Sequence, residues 1–223
     1  MTWFSRPPLR SPFAAPEASP TPRTDDSDGT PGGIRILTVC TGNICRSAWA
    51  QHVLQARLDQ RLGTGGAAVT SAGTGPNQAL SVPRELLDLA GGDAALRGAL
   101  EAHRPRLLTA RVLEGQDLVL TATEAHRDAV AREAPAALRR SATFLRAGAL
   151  FAELQAVAPG GGPGALADAL ARGQASRSRL RDRAADLPDP FRGPAAGYAA
   201  MVAALNPALD AVVEAVERAL TRR

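Results

Sequence analysis

Residues 34–47, Ile-Arg-Ile-Leu-Thr-Val-Cys-Thr-Gly-Asn-Ile-Cys-Arg-Ser, are the stretch from which the fold of this chain is predicted. Ile34–Val39 is short, apolar and β-branched, and it follows two glycines, which is typical of a β-strand. From Ser47 to Leu62 apolar residues recur at helical spacing, and the glycine-rich run 63–66 would end that helix. The pattern therefore predicts a strand, a tight turn that starts at Cys40, and a helix.

The rest of the chain continues this alternation of strands and helices. Further strands are predicted at 67–71, 118–121 and 142–145, and helices after Pro83 (divided at Gly91-Gly92), at 123–132, at 164–172 and at 195–220, where Pro207 would break or kink the last helix. We therefore expect an α/β domain over residues 34–223, with a parallel sheet of about four strands flanked by helices on both faces. Ligands of such sheets bind at the carboxyl ends of the strands, which is where the pattern places Cys40.

The first 33 residues differ in composition from this domain, because they contain seven of the 17 prolines. Proline removes backbone donors, and the segment lacks periodic apolar positions, so residues 1–33 are predicted to form a disordered Pro-rich tail. The tail has no continuous apolar region of the kind found in a secretory signal. No stretch of the chain approaches the roughly 20 apolar residues of a membrane span, so we expect no membrane association.

Charge and aromatic content limit the class of partner. The formal net charge is +4, and all 26 basic residues are arginines. Arginine suits phosphate and carboxylate recognition, although biased composition is the simpler explanation of its dominance. Aromatic residues make up only 4% of the chain, and no basic stripe interleaves them, so we expect no nucleic acid partner. The arginines of the run 172–183 are most simply solvated, and our hypothesis is that they lie near Asp189 and attract anionic substrates.

The cysteines Cys40 and Cys45 both lie in one loop and cannot link distant parts of the chain. This excludes a disulfide-built secreted scaffold and favours a reducing compartment, so we expect a cytoplasmic protein. The chain has three histidines and no second cysteine pair, so we expect neither a zinc site nor another metal or cofactor.

The turn between the first strand and the first helix carries the groups that phosphate chemistry needs. Backbone N–H groups of such a turn can converge on one anion at the N-terminus of the helix, and Gly42 allows a close approach. Asn43 tolerates a left-handed conformation. Arg46 can bind two phosphate oxygens with its planar guanidinium. A helix N-terminus and a nearby guanidinium favour the thiolate of a cysteine, so we expect Cys40 to be a nucleophile.

These residues resemble the signature of the low-molecular-weight protein tyrosine phosphatases, Cys40-Thr41-Gly42-Asn43-Ile44-Cys45-Arg46-Ser47. The resemblance extends along most of residues 34–223, through the segments Thr70–Gly75, His103–Thr109, Asp117–Thr121, Glu124–His126 and Asp189-Pro190-Phe191. The sequence differs from the family at Ala48 (usually Pro), Trp49 (Met) and Gln51 (Glu), in the lack of a Trp in 75–80, and at Arg192, where a second aromatic would be expected.

The resemblance implies a protein tyrosine phosphatase that forms a phosphocysteine on Cys40. It implies that Asp189 protonates the leaving phenolate and then activates water, and that a supporting network holds the loop, formed by Asn43, Ser47, Ser71 and His103. The phosphoryl oxygens would be held by Arg46 and the amides of the loop, Thr41, Gly42, Asn43, Ile44, Cys45 and Ser47. Expected partners are tyrosine-phosphorylated proteins and a tyrosine kinase.

Alternatives remain open from the sequence. Cys45 could merely pack, or, as the resemblance suggests, trap oxidised Cys40 as a reversible disulfide. Asp189 before Pro190 could be only a turn residue. The whole chain could instead be an arsenate reductase of the same fold that uses a small-thiol cofactor, or a non-catalytic regulator that binds phosphate.

Overall fold

The computed structural model describes residues 33–153, 156–177 and 186–221. Apart from Gly33, the predicted tail lies outside the described residues. The strands are β1 (Ile34–Cys40), β2 (Ala67–Gly73), β3 (Leu118–Thr121) and β4 (Ser141–Thr143). The helices are α1 (Arg46–Leu62), α2 (Arg84–Asp88), α3 (Ala94–Ala102), α4 (Ala110–Leu113), α5 (Glu124–Glu133), α6 (Phe144–Phe151), α7 (Gly162–Arg177) and α8 (Ala195–Leu220), with a 3-10 helix at Pro135–Arg140.

The four strands form one parallel sheet in the order β2-β1-β3-β4. Alternate residues of β1 point to opposite faces, as the period of a strand requires. Ile34 and Ile36 pack in the larger apolar cluster with α1, α6, α7 and α8. Leu37 and Val39 pack in a second cluster with Leu113 of α4 and residues of α5. Helices thus cover both faces, and the predicted α/β architecture is confirmed.

The register of the sheet brings three chain segments to one edge. Cys40 pairs with Gly73 of β2, and Val39 pairs with Thr121 of β3. The carboxyl ends of β1, β2 and β3 therefore meet, and the loop that follows each strand faces the same space. A fourth segment joins them because the Leu187 amide donates to the Ala122 carbonyl at 2.8 Å.

Three predicted elements have a boundary that differs from the structure by two residues or more. The strand predicted at 142–145 ends at Thr143, because the Thr143 hydroxyl accepts from the Arg146 amide and caps α6. β2 continues to Gly73, beyond the predicted end at 71. The helix predicted at 164–172 runs over Gly162–Arg177.

The last helix, α8, is continuous through Pro207, so of the predicted break or kink the break does not occur. By length and composition alone α8 could cross a membrane. However, its residues Met201, Leu205, Leu209 and Val212 are buried in the apolar cluster that also contains α1 and α6. α8 therefore serves as a core helix of this domain.

Candidate active site

The turn predicted to bind phosphate connects β1 directly to α1. Cys40 is the last residue of β1, and Arg46 is the first residue of α1. Asn43 has a φ of 56°, in the left-handed region that asparagine adopts more readily than most residues. The chain therefore reverses at Asn43, and the turn 40–47, here called the Cys40 loop, curls around the sulfur of its first residue.

Asn43 is the centre of the network that holds the Cys40 loop. Its Nδ2 donates to Ser47 Oγ at 3.0 Å and to Ser71 Oγ at 2.7 Å. Its Oδ1 accepts from the Arg106 amide at 2.9 Å, and its backbone carbonyl accepts from His103 Nε2 at 2.8 Å. The structure thus brings together all four residues of the predicted supporting network. Every polar atom of the Asn43 side chain has a partner, which fixes the strained residue in place.

Cys40 is buried and receives hydrogen bonds from its own loop. The Asn43 amide donates to Cys40 Sγ at 3.3 Å, and Ser47 Oγ lies 3.0 Å from the same sulfur. Because Ser47 Oγ already accepts from Asn43, its proton is free to be donated to the sulfur. Two donors on one sulfur stabilise a thiolate more than a thiol.

Arg46 lies beside this sulfur with an almost fully buried side chain (4% exposed). Its Nη1 donates to the Leu187 carbonyl at 3.1 Å, and its Nη2 approaches Thr41 Oγ1 at 3.4 Å. Its Nη2 also forms an ion pair of 2.6 Å with Asp189 Oδ2. Among the described residues, no acceptor bonds the buried Nε–H of Arg46. One donor of the guanidinium is therefore available for an anion in the Cys40 loop.

Asp189 reaches the site from the loop between α7 and α8. Its Oδ1 accepts from the Phe191 amide at 3.3 Å, which leaves Oδ2 for Arg46. The side chain is 45% exposed, so it contacts solvent as well as the guanidinium. The sequence prediction placed Asp189 at the same site as Cys40 and Arg46, and the structure brings the three together.

Cys40, Arg46 and Asp189 line one cavity of about 150 Å³. Its walls are formed by the Cys40 loop and by residues of two other loops, Gly75, Asn77, Leu80, Asp189 and Phe191. Cys45 also lines the cavity, and burial raises the pKa of its thiol to about 12, with the nearby Cys40 and Asp189 acting in the same direction. Cys45 is therefore a protonated thiol near neutral pH.

Comparisons with known proteins agree with this geometry. The sequence model of the family described as low molecular weight phosphotyrosine protein phosphatase matches residues 35–146, half of the chain. This chain belongs to that family. The match includes the Cys40 loop, Ser71, His103 and His126, and it ends before Asp189.

Among relatives of this phosphatase-family chain is the low molecular weight protein-tyrosine-phosphatase Etp of Escherichia coli, which is 35% identical over 102 residues. That alignment covers 45% of this chain and 62% of Etp. The probable low molecular weight protein-tyrosine-phosphatase AmsI of Erwinia amylovora is 31% identical over 111 residues, which cover 49% of this chain and 69% of AmsI.

Solved structures show the same fold over a longer part of the chain. The low molecular weight protein tyrosine phosphatase of T. tengcongensis superposes with a TM-score of 0.58 at 21% identity, covering 82% of this chain and 99% of that one. The YwlE arginine phosphatase of Geobacillus stearothermophilus gives a TM-score of 0.54 at 25% identity, with 81% and 91% covered.

Two residues of α1, to which the sequence analysis gave no role, support the site of this family member. His52 Nε2 lies 3.2 Å from His103 Nδ1, and Gln51 accepts from the Ser71 hydroxyl. Both follow the Cys40 loop on α1, and Gln51 lies one helical turn after Ser47, which is the signal that could have found it. Burial lowers the pKa of His52 to about 4 and also lowers that of His103.

Gly73 lies beyond the predicted strand 67–71, but in the structure it ends β2 in contact with the Cys40 loop. A Cβ at this position would overlap the Thr41 carbonyl oxygen and lie 3.1 Å from Asn43 Cβ and N. Only glycine allows the two backbones to approach this closely.

The hypothesis about the run 172–183 falls mainly outside the described residues. Arg172 itself donates to the Ala156 carbonyl at 2.8 Å. The positions of the Arg177 side chain and of Arg179, Arg181 and Arg183 are not among the described parts of the chain.

Proposed function

We propose that this protein hydrolyses phosphotyrosine and related aryl phosphate monoesters through a phosphocysteine on Cys40. The observation that carries the proposal is the single cavity lined by Cys40, Arg46 and Asp189, which come from widely separated parts of the chain. A sulfur nucleophile, an anion-binding guanidinium and a carboxyl group are the parts that this reaction needs.

The first step transfers the phosphoryl group to the protein. The phosphoryl oxygens bind Arg46 and the amides of residues 41–47, and the unpaired Nε–H of Arg46 is one of the donors available. The phosphoryl group takes the place of Asp189 on the guanidinium. Cys40 Sγ then attacks phosphorus as the P–O bond to the phenol breaks, and Asp189 gives its proton to the leaving oxygen.

The second step releases inorganic phosphate. Asp189, now a carboxylate, takes a proton from a water molecule, whose oxygen attacks phosphorus as the P–S bond breaks. The sulfur leaves as a thiolate, stabilised by the hydrogen bonds from Ser47 and the Asn43 amide. Phosphate departs, and both Cys40 and Asp189 are restored to their starting forms.

The apolar walls of the cavity favour an aryl phosphate over a phosphoguanidine as the substrate. Ile44, Leu80 and Phe191 line the space beyond the Cys40 loop. They can pack against a phenyl ring, whereas a positively charged guanidinium would need acceptors. Asp189 is the one carboxylate among the described lining residues, and the reaction uses it. We accordingly propose tyrosine-phosphorylated proteins, including a tyrosine kinase, as the partners.

We also propose a reversible redox guard and a cytoplasmic location. Peroxide would convert Cys40 to a sulfenic acid, and the Cys45 thiol would condense with it to give a disulfide and water. Both cysteines are free thiols in this structure, which suits a reducing compartment. Peptide mapping after peroxide treatment and cell fractionation test these two points.

The decisive experiment compares the wild type with Cys40→Ser and Asp189→Ala on two substrates. Phosphotyrosine has a poor leaving group, whereas p-nitrophenyl phosphate releases an acidic phenol that needs little protonation. Cys40→Ser should abolish turnover of both. Asp189→Ala should lower kcat for a phosphotyrosine peptide by about 10²–10³-fold and for p-nitrophenyl phosphate much less.

Asp186→Asn is the matched control for Asp189. Asp186 lies in the same loop, but its Oδ1 accepts from the Glu124 amide at 2.8 Å rather than from Arg46. This variant should leave the ratio of the kcat values for the two substrates unchanged. Activity of Cys40→Ser, preference for phosphoarginine, or thiol-dependent arsenate reduction without ester hydrolysis would overturn the proposal.

A further inference from the structure

His126 faces the Cys40 loop from the first turn of α5. The side chain is buried, with 7% exposed, and both ring nitrogens have partners. Nδ1 lies 2.7 Å from Thr123 Oγ1, and Nε2 lies 2.8 Å from Thr41 Oγ1. The imidazole therefore links the loop after β3 to the second residue of the Cys40 loop.

The Thr41 hydroxyl is the point where this link meets the anion-binding group. Arg46 Nη2 approaches Thr41 Oγ1 at 3.4 Å, on the side of the guanidinium that also pairs with Asp189. A hydroxyl can donate to one neighbour and accept from another. The Thr41 hydroxyl can thus form hydrogen bonds with His126 and Arg46 at the same time, whichever nitrogen of the neutral imidazole carries the hydrogen.

Electrostatics keep this imidazole neutral near physiological pH. Burial lowers the pKa of His126 to about 4, and the Arg46 charge acts in the same direction, against the opposing effect of Asp189 and Asp186. A neutral ring is able to bond the hydroxyl without adding a second positive charge beside the guanidinium.

The contact between Thr41 and Arg46 becomes important during the reaction, because the contact between Asp189 and Arg46 is then lost. The described residues give Arg46 three acceptors, which are the Leu187 carbonyl, Thr41 Oγ1 and Asp189. Asp189 must leave the guanidinium to protonate the leaving group. The Leu187 carbonyl binds Nη1, so Thr41 is then the described protein contact that remains on Nη2.

We propose that His126 is a positioning residue, which holds the Thr41 hydroxyl beside Arg46 Nη2 so that the guanidinium keeps its place when Asp189 leaves it. The proposal rests on the proposed function for its role in turnover. Its structural part, the ordering of Arg46 for an anion, stands separately and can be measured without catalysis.

The test measures the binding of inorganic phosphate to the full chain carrying Cys40→Ser, by isothermal titration calorimetry. Thr41→Val and His126→Leu should each weaken phosphate binding by about tenfold, since each breaks the series of hydrogen bonds that runs from His126 through Thr41 to Arg46. Thr41→Ser and His126→Gln keep a hydroxyl and a polar group within reach and should stay within about twofold of the parent. Asp128→Ala, an exposed change on α5, is the control and should have no effect.

Coupling between the two sites separates positioning from general structural damage. If His126 acts through Thr41, the variant with both Thr41→Val and His126→Leu should bind phosphate no more weakly than either single variant. Independent effects, which would multiply to about a hundredfold, would overturn the proposal, as would unchanged affinity in Thr41→Val. If His126→Leu does not fold, unchanged affinity in Thr41→Val still overturns the proposal, because His126 is proposed to act through the Thr41 hydroxyl.

The same variants are then assayed for hydrolysis with Cys40 restored. If the wild type hydrolyses no aryl phosphate but the variants lose phosphate affinity as predicted, the proposed function is refuted and the positioning role stands. Normal hydrolysis in the wild type with unmoved affinities in all variants would refute the positioning role alone.

Discussion

Gly73→Ala should damage the Cys40 loop although Gly73 is not among the residues that line the cavity. The added Cβ would overlap the Thr41 carbonyl oxygen and crowd Asn43, and both neighbours belong to the loop backbone. Gly73 cannot move away, because its amide donates to the Arg106 carbonyl at 2.9 Å and its carbonyl accepts from Leu108 at 2.8 Å. The loop must therefore give way.

The size of the effect follows from this overlap. Restoring ordinary contact requires the loop backbone to shift on the order of 1 Å, and a misplacement of that size costs about 10²-fold in rate. Crowding of a packed region also destabilises a protein by about 1–3 kcal/mol. We expect kcat/KM for p-nitrophenyl phosphate to fall about a hundredfold, with a clear decrease in the free energy of unfolding measured in urea.

Gly98→Ala provides the matched control. Gly98 lies on α3, is exposed, and a Cβ there would have nothing within 4 Å. Alanine should therefore stabilise the helix by about 0.5–1 kcal/mol and leave kcat/KM unchanged. Wild-type activity in Gly73→Ala would show that the close approach of β2 is not what shapes the loop.

Three further predictions follow from the same site. Arg46→Lys loses the planar donors to Leu187 and Asp189, so kcat/KM for p-nitrophenyl phosphate should fall by at least about 10²-fold with unchanged circular dichroism, and near-normal turnover would contradict the role of the guanidinium. Because the pKa of Cys45 is raised to about 12, brief treatment with iodoacetamide at pH 7 should alkylate Cys40 and spare Cys45 in peptide mass spectra, and equal labelling would be inconsistent with that burial. Burial lowers the pKa of His52 and His126 to about 4 in the folded chain, so the unfolded chain binds protons first as the pH falls. The free energy of unfolding should therefore decrease between about pH 6.5 and pH 4, as followed by urea midpoints, and His52→Gln or His126→Gln should each flatten that decrease.

The fold could be predicted because local pattern and global architecture agree. Strands such as Ile34–Cys40 alternate with amphipathic helices such as α1, and this alternation permits few arrangements other than a parallel sheet covered by helices. Boundaries were less predictable where one residue suits two elements. Thr143 is β-branched and ends a strand, yet its hydroxyl also caps the next helix. Only the structure shows that Phe144 and Leu145 belong to the helix and not to the strand.

The site could be predicted only where its residues are contiguous or resemble a family motif. The Cys40 loop is continuous in sequence, so its chemistry was visible. Asp189 is 143 positions from Arg46, and only the resemblance connected them. His52 carried no signal, and His126 stood out only as part of a segment that resembles the family. The role of a histidine on a helix depends on the residues that the fold places opposite it.

The substitution at position 51 shows how such a role can change while the fold is kept. A glutamate, common in the family at this position, would place a carboxylate beside the Ser71 hydroxyl. Gln51 accepts the same proton without a charge, and His52 Nε2 lies within hydrogen-bond distance of His103 Nδ1. The described partners of Asn43 and His103 then include no carboxylate to favour an imidazolium, which agrees with the lowered pKa of His103 that burial produces. The Asn43 carbonyl consequently receives its hydrogen bond from the Nε2–H of a neutral imidazole.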